Sequence, residues 1–582
     1  MQQRSLWGIL GFVFAVTGCV VACGSKGNNG FDTDGGVDGG DGGALPDDDG
    51  GQLGPTDATN EPACVTCAAD LKTIVNCGDN TPVGQCMGDL GCAGGACIPA
   101  CDAAAQSKST IGCDYYAVPP DAWTIGSCFA AFVTNTWSTP MKVTLNWKGQ
   151  TIDGTKYAYV PKGMGASLTY QQVPLTGIPA NTMAIVFLND SKQNTTYYVG
   201  CPNGVSAAVS GSQMVVPGTR IADAIEIKTS VPAVVYDIYP YGGALSYMPS
   251  ATLLVPSTAW DTNYVAATMA EEPMGSKGGI DLVARENNTK ITVLPSTNIL
   301  AGTGVAAATK NTPVTYTINQ GQVVHITQPS SAADTLAGSV IQSTAPIGVW
   351  GEHNCITHNA SPPKWRIVGA VNGTTLTYDP PVASAPKTLS QGQLVEFDGP
   401  AAFDVKAQDD KHPFYLAAHR PGGDCDAAHQ QIPAVQALGY EYVAIANETT
   451  NYAIGGPETV NVVPPAQYLD SYIFFTDPTY GNTDLAIVRA KVGGVFKDVT
   501  LDCLGKVTGW QPVGATGYEY AHVDVQKNKA PVGACDNGLH TIKSDGPIGI
   551  TVWGYDSAAS YAYPAGASVK PINTVVVPPT PN

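Results

Sequence analysis

Four histidines and two cysteines form two short groups with the residue types of a metal site. The groups lie in WGEHNCITH and HRPGGDCDAAH, and the residues are His353, Cys355, His358, His419, Cys425 and His429. Imidazole and thiolate groups bind zinc or copper when they converge within ligand distance and the cysteines stay reduced. An oxidising compartment instead favours a disulfide with ordinary polar histidines around it, so neither a metal nor another cofactor is expected.

Acidic residues that could serve a hydrolase include adjacent pairs such as Glu271 with Glu272 and Asp409 with Asp410. Neighbouring residues point to opposite faces of a strand, so neither pair has the geometry that a glycosidase needs. The sequence contains no Gly-x-Ser-x-Gly elbow, no His-Glu-x-x-His helix and no phosphate-binding loop. We therefore expect no catalytic residues. A secreted hydrolase acting on polysaccharide or protein is an alternative.

The N-terminus has the pattern of a lipoprotein export signal. A short polar start precedes an apolar run that is too short to span a membrane. Both VTGC, ending at Cys19, and VVAC, ending at Cys23, resemble the site where a signal peptidase cuts before a lipidated cysteine. Lipidation of Cys23 leaves fourteen later cysteines, an even number, whereas lipidation of Cys19 leaves Cys23 unpaired. We predict a signal peptide over residues 1–22 and lipid on Cys23, with Cys19 as the alternative.

Residues 23–63 predict a disordered tether behind the lipid. From residue 24 the segment carries eight Asp and one Glu against a single Lys, with almost no aliphatic side chains. Such a composition cannot bury enough apolar surface to offset the loss of chain entropy on folding. Several acyl chains hold a protein durably on a bilayer. The expected location is therefore the bacterial outer membrane or cell surface, with the membrane as partner through the N-terminal lipid.

The remaining cysteines predict disulfides in two sets. Eight crowd into residues 64–113, a segment too small and too poor in aliphatic residues to be stabilised by burial alone. A zinc module that uses Cys64 and Cys67 is the alternative there. The other six lie in the body, where sequence neighbours are expected to pair. The candidates are Cys64, Cys67, Cys77, Cys86, Cys92, Cys97, Cys101, Cys113, Cys128, Cys201, Cys355, Cys425, Cys503 and Cys535.

Repeated patterns over residues 114–575 indicate a mainly β body. One pattern has two β-rich runs around an Asn-Asn or Asn-Gly pair, which predicts a hairpin. It occurs at 282–295 and 367–380, with longer copies at 129–147 and 485–503. A second pattern carries Ser or Thr and then Pro, where one strand is expected to end and the next to begin. It occurs at 227–235, 341–349 and 542–550, with a weaker copy at 405–416 that has three extra residues.

The connecting strands INQGQVVHI and LSQGQLVEF are also nearly superimposable. Four irregularly spaced copies favour tandem or fused antiparallel β-sandwich modules, with a β-propeller as the alternative. Residues 576–582 are expected to form a flexible tail. The formal net charge of -19 would repel phosphate backbones, so no nucleic-acid partner is expected.

Several of these stretches resemble a known family. GCDYYAVPPD, WGEHNC, CDAAHQQIPAVQALGYEYVA and GPIGITVWGYDSAASYAYPAG are similar to the N-terminal domain of IgGFc-binding proteins. They also resemble exported lipoproteins of myxobacterial type that carry this domain after a cysteine-rich segment. The family usually keeps the WGEHNC-like and CDAAH-like pieces close together, whereas here 69 residues separate Cys355 from Cys425. The family name implies antibody binding for animal members, but no short motif in this chain localises an Fc contact.

The sequence thus favours a non-catalytic cell-surface lipoprotein that presents a β-rich face for adhesion or recognition. Its ligand would be an extracellular protein or glycan. The alternatives are the secreted hydrolase and a metal-binding surface protein that uses the histidine and cysteine groups.

Overall fold

The computed structural model divides the chain into two units, residues 1–62 and 63–582. It describes residues 64–122, 124–164, 167–192, 198–212, 214, 217–246, 249–268, 277–329, 335–356, 364–420, 428–433, 438–446, 454–557 and 559–581. The predicted signal peptide, Cys19, Cys23 and the predicted tether lie outside these residues. Among the described residues, no helix combines the length and the apolar character needed to cross a bilayer.

The cysteine-rich segment is a small β structure held by disulfides. Its elements are β1 (Val65–Cys67), β2 (Thr73–Asn76), β3 (Pro82–Gln85), β4 (Leu90–Ala93), β5 (Ala96–Pro99) and helix α1 (Ala100–Ser107). Disulfides join Cys64 to Cys77, Cys67 to Cys92, Cys86 to Cys97 and Cys101 to Cys113. Cys64 and Cys67 therefore have different cysteine partners, which excludes the zinc module that would need both as thiolates.

The predicted all-β body is confirmed, and its described strands fall into four modules. Module 1 contains β6 (Gly112–Ala117), β7 (Phe129–Asn135), β8 (Val143–Trp147), β9 (Gln150–Asp153), β10 (Ala158–Lys162), β11 (Thr169–Gln172), β12 (Met183–Asp190), β13 (Val209–Ser210), β14 (Arg220–Asp223), β15 (Ile225–Tyr239) and β16 (Ser250–Leu253). Module 2 begins with β17 (Asp261–Val265), β18 (Gly278–Ala284), β19 (Thr289–Leu294), β20 (Val314–Ile318), β21 (Gln322–Thr327) and β22 (Val340–Ile356). Strand β14 pairs with β21 and so joins the sheet of module 2.

Module 3 contains β23 (Lys364–Gly369), β24 (Thr374–Asp379), β25 (Thr388–Leu389), β26 (Leu394–Asp398), β27 (Ala402–Ala407) and β28 (Phe414–Arg420). After β29 (Ala428–Pro433), it is completed by β30 (Glu441–Ile445) and β31 (Glu458–Asn461). Module 4 contains β32 (Leu469–Phe475), β33 (Asn482–Val492), β34 (Val495–Phe496), β35 (Val499–Leu501), β36 (Gly505–Lys506), β37 (Gln511–Pro512), β38 (Tyr518–Lys527), β39 (Ala530–Pro531), β40 (Leu539–Tyr555) and β41 (Ser560–Pro564). Short 3-10 helices occur at Gly154–Tyr157, Gly243–Ser246, Ser257–Ala259 and Pro465–Gln467.

Module 3 shows the sandwich in its simplest form. Two four-stranded sheets, β26-β23-β28-β31 and β25-β24-β27-β30, enclose one core. Side chains from both sheets meet in that core, among them Trp365, Phe403, Leu416 and Tyr442. Two sheets packed face to face around a shared apolar layer are a β-sandwich. This arrangement agrees with the predicted sandwich modules rather than with a propeller.

In modules 1, 2 and 4 one long strand belongs to both sheets. In β22, residues 340–343 pair with β19, and residues 347–353 pair with β18. Strand β15 pairs with β8 through its first half and with β7 through its second half. Strand β40 pairs in the same way with β35 and then with β33.

The repeated proline lies where each long strand crosses from one sheet to the other. Between the two paired halves of the strand, three residues pair with neither of these neighbouring strands, and the last of the three is Pro232, Pro346 or Pro547. The prediction that the proline separates two strands is therefore wrong for these modules. It holds in module 3, where the three extra residues separate β27 from β28.

The repeated Asn-containing runs do not form the predicted hairpin. Strands β18 and β19 do not pair with each other; each pairs with a different half of β22, so the turn between them crosses from one sheet to the other. Strands β23 and β24 behave in the same way toward β28 and β27. Asn288 at the turn has a φ of 58°, which Asn tolerates equally in a hairpin and in a crossing turn. The longer copy at 485–503 contains a short hairpin of its own, between β33 and β34.

In each module the hydroxyl of one buried tyrosine forms a hydrogen bond with the backbone carbonyl that follows the repeated proline. We call this contact the tyrosine clip. The Tyr264 hydroxyl accepts a hydrogen bond from the Asp261 amide (2.7 Å) and donates one to the Ile347 carbonyl (2.7 Å). Ile347 directly follows the crossing proline. Tyr115, Tyr442 and Tyr472 donate to the corresponding carbonyls of Ala233, Phe414 and Ile548. In modules 3 and 4 the hydroxyl also accepts from the amide three residues earlier, as Tyr264 does.

A strand that completes module 2 lies within the chain of module 3. Strand β29 comes between β28 and β30 but pairs with the end of β22, from Trp350 opposite Pro433 to Ile356 opposite Ala428. The backbone that carries WGEHNC thus lies beside residues 428–433, of which Ala428 and His429 end the CDAAH motif. The 69 residues between Cys355 and Cys425 contain β23 to β28, six of the eight strands of module 3.

Two disulfides of the body join sequence neighbours, Cys128 with Cys201 and Cys503 with Cys535. The start of the predicted flexible tail is docked on module 2. Val577 is buried, and its backbone exchanges two hydrogen bonds with the Asn263 side chain, at 2.7 and 2.9 Å. Residue 577 is therefore docked on the folded body.

Candidate functional site

The predicted histidine and cysteine groups are only partly described. His353 is buried on β22, and His419 is buried on β28, where its Nδ1 is 2.7 Å from Thr459 Oγ1. Among the described side chains, neither histidine belongs to a set of three His, Cys, Asp or Glu residues close enough to share an ion. The side chains of Cys355, His358, Cys425 and His429 lie outside the described residues. The Cys355–Cys425 disulfide and its metal alternative therefore remain predictions.

The candidate hydrolase carboxylates gain no support as a site. Glu271 and Glu272 lie outside the described residues. Asp409 and Asp410 are exposed in the turn between β27 and β28, where Asp409 Oδ1 lies 2.6 Å from His412 Nδ1. This contact is local to the turn and joins no other element.

A different set of charged side chains is buried where modules 1 and 2 meet. We define the acid–histidine cluster as Asp121, Asp281, His325 and Glu352, each of which is at most 3% exposed. Charged side chains are seldom buried this deeply unless they are paired. Burial of these four side chains together therefore requires that their charges compensate one another.

Three strands and one loop position the cluster. Asp281 on β18 is the direct cross-strand partner of His325 on β21. Glu352 on β22 lies opposite Gly279 on β18, and a Cβ at Gly279 would stand 2.6 Å from Glu352 Oε1. The glycine thus leaves the space that the carboxylate fills. Asp121 arrives from the loop after β6, where its own amide donates to Glu352 Oε2 at 3.1 Å.

The imidazole of His325 is held between the carboxylates. Its Nδ1 lies 2.7 Å from Asp281 Oδ1. Its Nε2 lies 3.2 Å from Glu352 Oε1, 3.5 Å from Asp121 Oδ2 and 3.2 Å from the Thr327 hydroxyl. One ring nitrogen is therefore fixed by a single acid, while the other faces a group of three oxygen atoms.

The charge states disfavour catalysis by this histidine. Burial alone would lower the pKa of His325, but the charges of Glu352 and Asp281 outweigh burial and raise it to about 10. Burial drives the pKa of Glu352 well above its usual range. Thr327, His325 and Asp281 have the order of a nucleophile, a base and an orienting acid, but an imidazolium cannot accept the hydroxyl proton near neutral pH. Because the cluster is also closed to solvent, it holds charge inside the protein and is not placed to meet a substrate.

In module 3, the cross-strand pair equivalent to Asp281 and His325 balances its charge in a different way. Arg366 on β23 and Glu396 on β26 are direct cross-strand partners, as Asp281 and His325 are in module 2. Arg366 donates to Glu396 Oε1 through Nε at 3.0 Å and through Nη2. In module 3 the carboxylate is thus balanced by a permanent cation, whereas module 2 places three carboxylates around one imidazole.

A second group of potential ligands is Asp502, Cys503 and His540. Cys503 is bonded to Cys535 and is not a thiolate. His540 Nδ1 lies 3.0 Å from Asp502 Oδ1, and its Nε2 lies 2.7 Å from the Asp536 carbonyl oxygen. Both ring nitrogens are engaged by the protein, so this group is explained as a polar network beside a disulfide.

The fold and these sites define a disulfide-bonded protein of β-sandwich modules whose charged cluster is enclosed within the body. The chain matches the IgGFc-binding protein family over residues 250–364 and 357–554, together more than half of its 582 residues. It belongs to the IgGFc-binding protein family, a family of binding proteins.

Among curated proteins, the IgGFc-binding protein of Homo sapiens is 24% identical over 232 residues. That alignment covers 39% of this chain and 4% of the human protein, so the chain corresponds to a small part of it. No solved structure matches the chain.

Proposed function

We propose that this chain is a non-catalytic cell-surface lipoprotein that binds an extracellular protein or glycan through its β modules. The observation that carries this proposal is membership of a family of binding proteins over a region that covers modules 2 and 3 and most of module 4. The human relative bears the name IgGFc-binding protein, so IgG Fc is one protein ligand to test.

Two structural features support a role outside the cytoplasm and without turnover. The disulfides of the cysteine-rich segment and of modules 1 and 4 are stable in an oxidising compartment. The acid–histidine cluster is buried and closed to solvent, so it does not offer a base to a bound substrate.

The proposed anchor is lipid on Cys23, and the proposed location is the bacterial outer membrane or cell surface. Mass spectrometry of the N-terminal peptide from the full-length protein should show Cys23 as the first residue, with acyl chains attached. Cys23→Ala should abolish lipidation, whereas the matched Cys19→Ala change should preserve it. An unmodified Met1 in the mature wild-type protein contradicts the anchor.

The recognition role is tested in the producing bacterium. The wild-type strain is compared with a strain lacking the gene and with the same strain complemented with the full-length chain or its Cys23→Ala variant. The measured properties are adhesion, contact with other cells and retention of the biofilm matrix. We expect at least one property to fall in the deletion strain and to recover only with the lipidated chain. No change in any of them contradicts the proposal, as does turnover of a glycan or peptide by the purified protein.

A further inference from the structure

We infer that the acid–histidine cluster is a structural zinc site that joins module 1 to module 2. Its ligands are His325 Nε2, Asp121 Oδ2 and Glu352 Oε1, with the Thr327 hydroxyl as the fourth donor. The inference rests on three observations: the ligand spacing, the orientation of the imidazole and the excess of buried negative charge.

The spacing fits a tetrahedral ion. Zinc bonds of 2.0–2.2 Å to histidine and carboxylate ligands place the ligand atoms about 3.3–3.5 Å apart. Nε2 of His325 lies 3.2 Å from Glu352 Oε1, 3.5 Å from Asp121 Oδ2 and 3.2 Å from Thr327 Oγ1. Thr327 Oγ1 lies 3.5 Å from Asp121 Oδ2. Four of the six distances among these donor atoms are thus close to the edges of a zinc tetrahedron, and the Asp121, His325 and Glu352 atoms all lie within 4.8 Å of one another.

The imidazole is oriented as a metal ligand. Histidines that bind metals usually donate their other ring N–H to a carboxylate or carbonyl, which fixes the tautomer and the ring. Asp281 Oδ1 takes this role at 2.7 Å from Nδ1 of His325. With Nδ1 protonated, the lone pair of Nε2 points at the space between Asp121, Glu352 and Thr327.

The charge count favours a divalent ion. Asp121, Asp281 and Glu352 carry three negative charges when ionised. Arg220 is a nearby cation: it is buried, on β14 it is the cross-strand partner of His325, and its Nη1 donates to the Gly218 carbonyl at 2.7 Å. One dication on a neutral His325 then makes the site neutral, and uncompensated buried charge is costly. Zn²⁺ replaces the proton on Nε2 and any proton on Glu352. These protons are released to solvent, and no electron is transferred.

Module 3 supplies an internal comparison. Its equivalent pair, Arg366 and Glu396, already contains a permanent cation next to the carboxylate. The site in module 2 lacks an arginine at that position and has two additional carboxylates. Zinc is therefore expected in module 2 alone of these two modules.

Metal analysis of the full-length protein tests the inference. The protein is produced without added metal, purified in detergent and analysed by inductively coupled plasma mass spectrometry. We expect about one zinc per chain, falling at least about tenfold in both His325→Gln and Asp121→Asn. The matched control His540→Gln changes a buried histidine that also contacts an aspartate, and it should retain the zinc.

Cobalt exchange on wild-type protein keeps the test independent of whether the variants fold. Co²⁺ in the site should give the visible bands of tetrahedral coordination, and Zn²⁺ should abolish them. Absence of zinc in the purified protein, together with failure of the metal-free protein to take up Zn²⁺ or Co²⁺, overturns the inference. Zinc that persists unchanged in folded His325→Gln also overturns it and places the ion elsewhere, for instance at the predicted histidine and cysteine groups.

Discussion

The tyrosine clip makes a sharp prediction about stability. Tyr264→Phe removes one hydroxyl and keeps the ring, which lies in the core of module 2 and is 5% exposed. The change deletes an acceptor 2.7 Å from the Asp261 amide and a donor 2.7 Å from the Ile347 carbonyl. A buried polar group left without its partner costs about 1–3 kcal/mol, so we expect a loss of about 2–4 kcal/mol in the free energy of unfolding.

Urea unfolding of the full-length protein, followed by tryptophan fluorescence, measures this loss. Tyr520→Phe is the matched control, because its hydroxyl contacts the exposed Gln511 side chain at 2.9 Å. The control should change the free energy of unfolding by less than about 0.5 kcal/mol. If Tyr264→Phe and Tyr520→Phe have the same effect, the clip does not stabilise the strand crossing and the reasoning is refuted.

Three further predictions concern the body. Burial raises the pKa of Asp477 to about 6 from a model-peptide value of 3.8, which makes its ionised form unfavourable in the folded state. Asp477→Asn should therefore raise the free energy of unfolding by about 2–3 kcal/mol at pH 7.5, and the gain should vanish near pH 4, where the wild-type carboxyl is protonated; a gain independent of pH contradicts this. Replacing Cys503 and Cys535 by Ser removes a disulfide with a sequence separation of 32 and should lower the free energy of unfolding by about 4 kcal/mol, measured in urea. An unchanged urea midpoint would contradict stabilisation of the folded state by this cross-link. Gly351→Ala places a Cβ 1.8 Å from a backbone carbonyl oxygen and should cost at least about 3 kcal/mol, while Gly517→Ala, with no atom within 4 Å, should be nearly neutral; equal melting temperatures would contradict the packing.

The sequence predicts the class of fold because its repeats are local patterns. The Asn-containing runs and the Ser-x-x-Pro runs mark where strands turn or cross, and the three extra residues of 405–416 do separate β27 from β28. The same patterns do not specify which strands pair. Asn288 with a positive φ fits a hairpin and a crossing turn alike, so the two were indistinguishable from residues alone.

The acid–histidine cluster could be suspected from sequence but not assembled from it. Asp281 and His325 are polar residues inside the otherwise apolar strands GGIDLVA and QVVHIT. Polar residues at core positions of a strand often mark functional or strained sites. Asp121 comes from a loop after β6 and Glu352 from the second half of β22. Their meeting depends on long-range register, which no local pattern carries.

The tyrosine clip shows the same limit. Tyr115, Tyr264, Tyr442 and Tyr472 occur in the dissimilar stretches CDYYA, DTNYV, EYVAI and LDSYIFF. Their equivalence emerges only because each hydroxyl reaches the carbonyl that follows a crossing proline. In modules 1, 2 and 4 this tyrosine lies on the first strand, three residues after the strand begins, whereas in module 3 it lies on β30, near the end of the module. The shared role is recognisable only after the modules are aligned by their strands.

Binding by the lipidated, full-length protein tests the central claim most directly. The protein is reconstituted in liposomes and applied to an array of extracellular proteins, including IgG Fc, and of glycans, and each bound ligand is recovered and analysed by mass spectrometry. Our account predicts saturable binding to at least one macromolecule that is recovered chemically unchanged. Cleavage of the bound ligand, or absence of saturable binding across the array, would contradict it.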